Sequence, residues 1–180
     1  MLELPHEYFV TPDVELSSRA DDRLFEFSPG DGAAVRTSCL VGVMPESASG
    51  WTGRFAGDYD EPPAISAVVS SPHPRKVFVV CSGRGYLVDA DRPKRFGLVA
   101  CFPICSIRTM GRIGQVVFGN FTDIVAYGRN GVLWQTTGLV SDDLNIVAVN
   151  DEMLTVDGLD AATGQRMRLS VDVRTGRQAV

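Results

Sequence analysis

The chemistry open to this chain rests on its carboxylates, histidines and cysteines. Carboxylates cluster at Asp58-Asp60-Glu61, Asp89-Asp91, Asp142-Asp143 and Asp151-Glu152. A glycosidase needs two of them at a set separation across a cleft, and sequence spacing does not create that separation. Lying among turn residues, they read as solubilising charges. No run matches the alternating ligands and late Glu of a calcium loop. The two histidines are His6 and His73. A nucleophilic Ser or Cys needs a base within hydrogen-bond reach, and no Gly-x-Ser-x-Gly elbow is present. His73, in Ser71-Pro72-His73-Pro74, is expected to be a solvated turn residue. Cys39, Cys81, Cys101 and Cys105 lie mostly in apolar runs and are expected to be buried thiols acting as small hydrophobes. Cys101 and Cys105 have no second pair after them, so the spacing of a zinc site is lacking. Neither a metal nor a cofactor is expected.

Two glycine and basic patterns have ordinary structural readings. Gly83-x-Gly85 follows a strand, but Val88 stands where a dinucleotide loop has its third glycine. A strand follows it, so no helix N-terminus faces a pyrophosphate, and the segment reads as a hairpin turn. Arg92-Pro93-Lys94-Arg95 reads as a charged turn guarding the apolar strand after it.

The most distinctive stretch is Gly50-Trp51-Thr52-Gly53-Arg54-Phe55-Ala56-Gly57-Asp58-Tyr59. Three aromatics recur every four residues among glycines. As a recognition loop, Trp51, Phe55 and Tyr59 would present flat apolar faces, with Arg54 and Asp58 supplying charge. As a structural loop, the same rings would pin residues 44–63 to the core. These five residues are the expected ligand or partner site, and no catalytic set is expected.

The elements that must position these groups read as strands. At 180 residues the chain suits one domain over 1–180: N-terminal strands in 1–43, a long surface loop in 44–63 and a regular β-meander in 64–180. Hydrophobic residues make up 44%, enough for a core, and charged residues 22%, which argues against global disorder. Short β-branched and aromatic runs, such as Lys76 to Cys81 and Gln115 to Phe118, are bounded by Gly, Asp, Asn and Pro. Asn130-Gly131 predicts a type I′ hairpin turn. Asp160-Ala161-Ala162-Thr163-Gly164 recurs as Asp172-Val173-Arg174-Thr175-Gly176, with Asp accepting backbone N–H bonds and Gly taking positive φ. Helical periodicity is confined to Thr11–Asp22, at most one short helix. The fold class is therefore all-β: an antiparallel meander that is propeller-like, a sandwich or a barrel.

The stretch from Lys76 to Arg177 resembles β-propeller-type, quinoprotein-like repeats. The resemblance rests on Lys76-Val77-Phe78-Val79-Val80-Cys81-Ser82-Gly83-Arg84-Gly85-Tyr86-Leu87-Val88-Asp89-Ala90, on Gln115 to Tyr127 followed by Gly131-Val132-Leu133-Trp134, and on the Asp-Ala-Ala-Thr-Gly turn at 160–164. The step from Val77 to Val116 is near one blade length, and the next step, to Ile146, is shorter. Trp134, Thr136, Asp172, Thr175 and Gly176 are similar to the tail of small uncharacterised bacterial proteins, which implies no activity.

These features favour a non-catalytic binding or interaction module, with a protein partner or a second copy as its ligand. Enzymatic activity is the less favoured reading, as a small hydrolase using acidic residues or His73. A third reading is an immunity-type protein that neutralises a partner, drawn from small size and acidity. A net charge of -5 argues against nucleic acid. The longest apolar stretch, Phe96 to Ile107, is too short to span a bilayer, and residues 1–7 lack the pattern of a secretory signal. A cytoplasmic protein is the expectation.

Overall fold

A computed structural model describes residues 4–13, 23–30, 35–59 and 61–179. All regular elements among these residues are β-strands, and none is an α-helix. The chain forms two compact units, Met1–Val99 and Ala100–Val180.

The first unit contains β1 (Tyr8–Pro12), β2 (Leu24–Phe27), β3 (Thr37–Pro45), β4 (Trp51–Gly57), β5 (Ala67–Ser70), β6 (Lys76–Cys81), β7 (Arg84–Asp89) and β8 (Phe96–Leu98). One sheet has the order β1-β3-β4-β2, with β2 parallel to β4 and the other pairs antiparallel. The other is an up-and-down meander, β5-β6-β7-β8. Strand alternation turns Tyr8, Phe27, Val41, Val43, Trp51 and Phe55 of the first sheet onto Val77, Val79, Tyr86 and Val88 of the second, forming one core. Polar ties join the two sheets. The Tyr8 hydroxyl donates to Lys76 O at 2.8 Å, the Tyr86 hydroxyl to Ala56 O at 2.6 Å and the Trp51 indole to Ala90 O at 2.7 Å. Burial pushes the Tyr8 phenol above its ordinary pKa, so it stays a donor.

The second unit contains β9 (Ser106–Met110), β10 (Gln115–Gly119), β11 (Ile124–Gly128), β12 (Gly131–Thr136), β13 (Asp142–Val149), β14 (Met153–Leu159) and β15 (Arg166–Asp172). β9 to β12 form a four-stranded meander, and β13-β14-β15 a three-stranded one. A bridge from Val171 to Gln178 extends the latter at its β15 edge. Val117, Ile124, Ala126 and Trp134 meet Leu144, Ile146, Leu154, Val156 and Val171 in a second core. The four-stranded up-and-down sheets have the form of propeller blades.

Turn chemistry follows the residues in most places. Ser82 and Gly83 both take positive φ, 41° and 75°, and form the two-residue loop between β6 and β7. The Asp160 carboxylate accepts from the Ala162 and Thr163 amides and the Thr163 hydroxyl, and Gly164 has φ 65°. Asp172 repeats the pattern with Arg174 and Thr175, and Gly176 has φ 71°.

Three expectations are corrected. The 44–63 segment is not one irregular surface loop, because residues 51–57 form β4 between β3 and β2. Gly53 and Gly57 lie on the same strand face as Trp51 and Phe55, and they serve packing. A Cβ on Gly53 would lie 2.5 Å from the Phe55 ring and 2.8 Å from Phe27; one on Gly57 would lie 2.8 Å from Cys81 O. Cys39 and Cys81 are not free thiols. They form a disulfide between β3 and β6, with Cα atoms 6.0 Å apart, since the sheet pairing brings together two positions 42 residues apart in sequence. The β11–β12 turn is centred on Arg129-Asn130, not on Asn130-Gly131: Gly128 pairs with Gly131, which has φ 119° and opens β12. Of the Thr11–Asp22 segment, expected to hold at most one short helix, Thr11 and Pro12 end β1, Asp13 has φ 52°, and residues 14–22 lie outside the described residues.

Candidate functional site

The five residues singled out in the aromatic segment are divided by strand geometry. Successive side chains of β4 point to opposite faces. Trp51 and Phe55 therefore enter the first unit's core, 4% and 0% exposed. Phe55 stacks on Phe27 with ring centroids 4.3 Å apart and planes 5° apart, while Trp51 meets Phe25 edge-on at 5.9 Å. These two rings present no face to a ligand. Arg54 points to the other face, where its guanidinium pairs with Glu26 at 2.9 Å near solvent. Asp58 receives two bonds from Arg84, at 3.2 and 2.5 Å, and both side chains are largely buried. The Tyr59 amide donates to Ser82 O, fixing the chain beyond β4 against the β6–β7 turn. The segment is thus a packed strand with an ion-paired end, not a single cluster of recognition groups.

The groups named for hydrolysis are engaged elsewhere. Both Asp58 oxygens face Arg84. His73 Nδ1 accepts the Arg75 amide across its own turn at 3.2 Å, and His6 Nδ1 lies 2.9 Å from Leu4 O. Cys101 is a free, buried thiol whose pKa burial pushes up to about 12, and burial also raises that of Cys105. Neither has the lowered pKa of an activated nucleophile. Among the described residues, no group of three or more His, Cys, Asp and Glu side chains is placed to hold a metal ion. No helix among them is long and apolar enough to cross a membrane.

A small cavity of about 100 Å³ opens beside the disulfide, lined mainly by Pro12, Cys39, Val41, Val68 and Val79. Among the described residues, Asp13 is the sole carboxylate on its wall. Water molecules or a small apolar group would fill it.

The feature that the aromatic and acidic patterns did not reveal is the distribution of exposed apolar side chains. Of the ten large ones exposed among the described residues, seven lie on strands that end a sheet. They are Phe9 on β1, Phe96 and Leu98 on β8, Val132 and Leu133 on β12, and Val147 and Val149 on β13. On β3, next to β1, exposed Met44 lies opposite Phe9. An edge strand also offers one row of unpaired backbone N–H and C=O groups. The sequence signal was present at Phe96-Gly97-Leu98 and Val132-Leu133, but only the strand order identifies these as edges.

No protein-family model matches the chain. No curated protein sequence matches it either. Among solved structures it is similar to the N-terminal domain of Nup159, with 15% sequence identity and a TM-score of 0.45, over 99% of this chain and 52% of that one. The chain thus spans about half the length of that structure.

Proposed function

We propose that this chain is a non-catalytic interaction module that binds protein through its sheet edges. The observation behind this reading is the concentration of exposed apolar side chains on β1, β8, β12 and β13. A strand added to such an edge gains main-chain hydrogen bonds and buries these side chains together. The occupant is a protein partner or a second copy of the chain. Arg54 and Tyr59, nearer the surface than Trp51 and Phe55, would contribute to such contacts only from the rim. The Cys39–Cys81 disulfide favours an oxidising compartment over the cytoplasm expected from the sequence, because cytosolic thiols are kept reduced.

The test compares the protein with a variant carrying lysine at Phe9, Leu98, Leu133 and Val147. Self-association is followed by sedimentation velocity, and partner binding by reconstitution with whatever co-purifies from the native host. Loss of either association in a variant with an unchanged circular dichroism spectrum supports the reading. Associations untouched by all four changes would refute it. So would ester or glycoside turnover by the pure protein that disappears in Asp58→Asn or His73→Ala.

A further inference from the structure

The β8 edge differs from the other three in its charge. Arg92, Lys94 and Arg95 lead directly into it, and all three are exposed. None has an ion-pair partner among the described residues. The nearby carboxylates are already committed: Asp89 accepts the Asp91 and Arg92 amides, and Asp91 takes the Ser47 hydroxyl at 2.6 Å and lies 3.9 Å from Arg75. Three unneutralised cations within four residues stand out on a chain of net charge -5.

The strand beside them has an open row of backbone groups. Arg95 O accepts the Asp89 amide, and the Val99 amide donates to Gly85 O, so residues 95 and 99 face β7. Antiparallel alternation then turns the N–H and C=O of Phe96 and Leu98 outward. A Cβ at Gly97 would meet no described atom within 4 Å, so the face of β8 opposite Phe96 and Leu98 is open at that position. Phe96 and Leu98 share one face and are 41% and 40% exposed. Phe96 is held edge-on to Phe27 at 5.1 Å, which makes it an ordered apolar anchor.

Positive charge beside an edge does two things. It repels another basic edge, which guards against indiscriminate pairing. It also attracts an acidic strand and steers its approach. We propose that β8 is the docking edge for an extended acidic segment of a partner protein. That segment adds as a strand outside β8, places alternate apolar side chains on Phe96 and Leu98, and sets carboxylates against Arg92, Lys94 and Arg95. The proposal rests on the edge-binding reading above and adds the location and the chemistry of the ligand.

The probes are a fluorescein-labelled peptide alternating glutamate with valine, its lysine–valine counterpart, a single-stranded oligonucleotide and phosphatidylserine vesicles. The glutamate–valine peptide binds, and more weakly as salt rises. The triple variant Arg92→Glu/Lys94→Glu/Arg95→Glu, in the exposed turn, loses roughly tenfold or more in affinity, a loss of about 1.4 kcal/mol or more. N-methylation of the peptide along its pairing edge abolishes binding, and methylation along the opposite edge does not, without touching the protein's own fold. Equal binding of both peptides, or equal loss from both methylation patterns, overturns the proposal. Tighter binding of the oligonucleotide or of the vesicles also overturns it, assigning the cations to that ligand. If the glutamate–valine peptide fails while edge-lysine variants still lose a partner, the acidic-strand assignment falls and the broader reading stands.

Discussion

Breaking the Cys39–Cys81 link should weaken the first unit sharply. The bond joins positions 42 residues apart, on strands of two different sheets. In the chain-entropy treatment, closing a loop of that length removes freedom from the unfolded chain worth about 4 kcal/mol. Domain stabilities are roughly 5 to 15 kcal/mol, so the loss is a large fraction of the whole. Cys81 is 1% exposed, and reduction would leave its thiol in an apolar core with little cost of its own. The unfolded-state term therefore dominates. The measurement is urea unfolding of Trp134→Phe, in which Trp51 is the remaining tryptophan and reports on the first unit alone. With a urea slope of about 1 to 2 kcal/mol/M, the midpoint falls by roughly 2 to 4 M when a reductant is present. Cys39→Ala/Cys81→Ala falls by a similar amount and no longer responds to reductant. A midpoint that is the same with and without reductant refutes the reasoning.

Three further outcomes follow from the packing and the electrostatics. Asp58→Ala removes two charge-assisted hydrogen bonds from the largely buried Arg84 guanidinium and should cost about 1.5 to 3 kcal/mol, whereas Asp58→Leu/Arg84→Met should recover much of it in thermal melts. Gly176→Ala puts a side chain at φ 71° and 2.5 Å from the Trp134 ring; it should cost about 1 to 3 kcal/mol and change the Trp134 emission. The Thr163 hydroxyl and amide hold the Asp160 carboxyl below its ordinary 3.8, and the Arg174 amide, with Thr175, does so for Asp172. Their contribution to stability is complete above that value and is lost as pH falls through the lowered folded-state pKa values. Asp160→Asn/Asp172→Asn should flatten the acid limb of the melting temperature against pH, and an unchanged limb would show that other carboxylates govern it.

The β class and much of the turn chemistry were legible because they are local. Lys76 to Cys81 is a continuous β-branched and aromatic run that forms a buried strand, and Ser82-Gly83 supplies two positive-φ residues where the hairpin needs them. Each Asp-x-x-Thr-Gly run carries its own hydrogen-bond acceptor and donors. What sequence reading missed depends on contacts distant in the chain. Trp51, Gly53, Phe55 and Gly57 share a period of two, yet the glycines read as loop residues because the ring that requires Gly53 includes Phe27 from another strand. The Cys39–Cys81 pair was hidden for the same reason. The candidate edges were visible only as apolar runs, since nothing local distinguishes β8 from a strand with neighbours on both sides.

The two indole bonds bear on how the protein is made. In each unit a tryptophan on one sheet donates to a carbonyl 39 residues later, Trp51 to Ala90 and Trp134 to Val173. The intervening chain holds β5 to β7 in the first unit and all of β13 to β15 in the second. Donors therefore leave the ribosome well before acceptors, and neither bond can close until the sheet between them has been synthesised. Each closure lies within its own unit. Vectorial synthesis can thus finish the first unit, indole bond and disulfide included, before β9 has emerged.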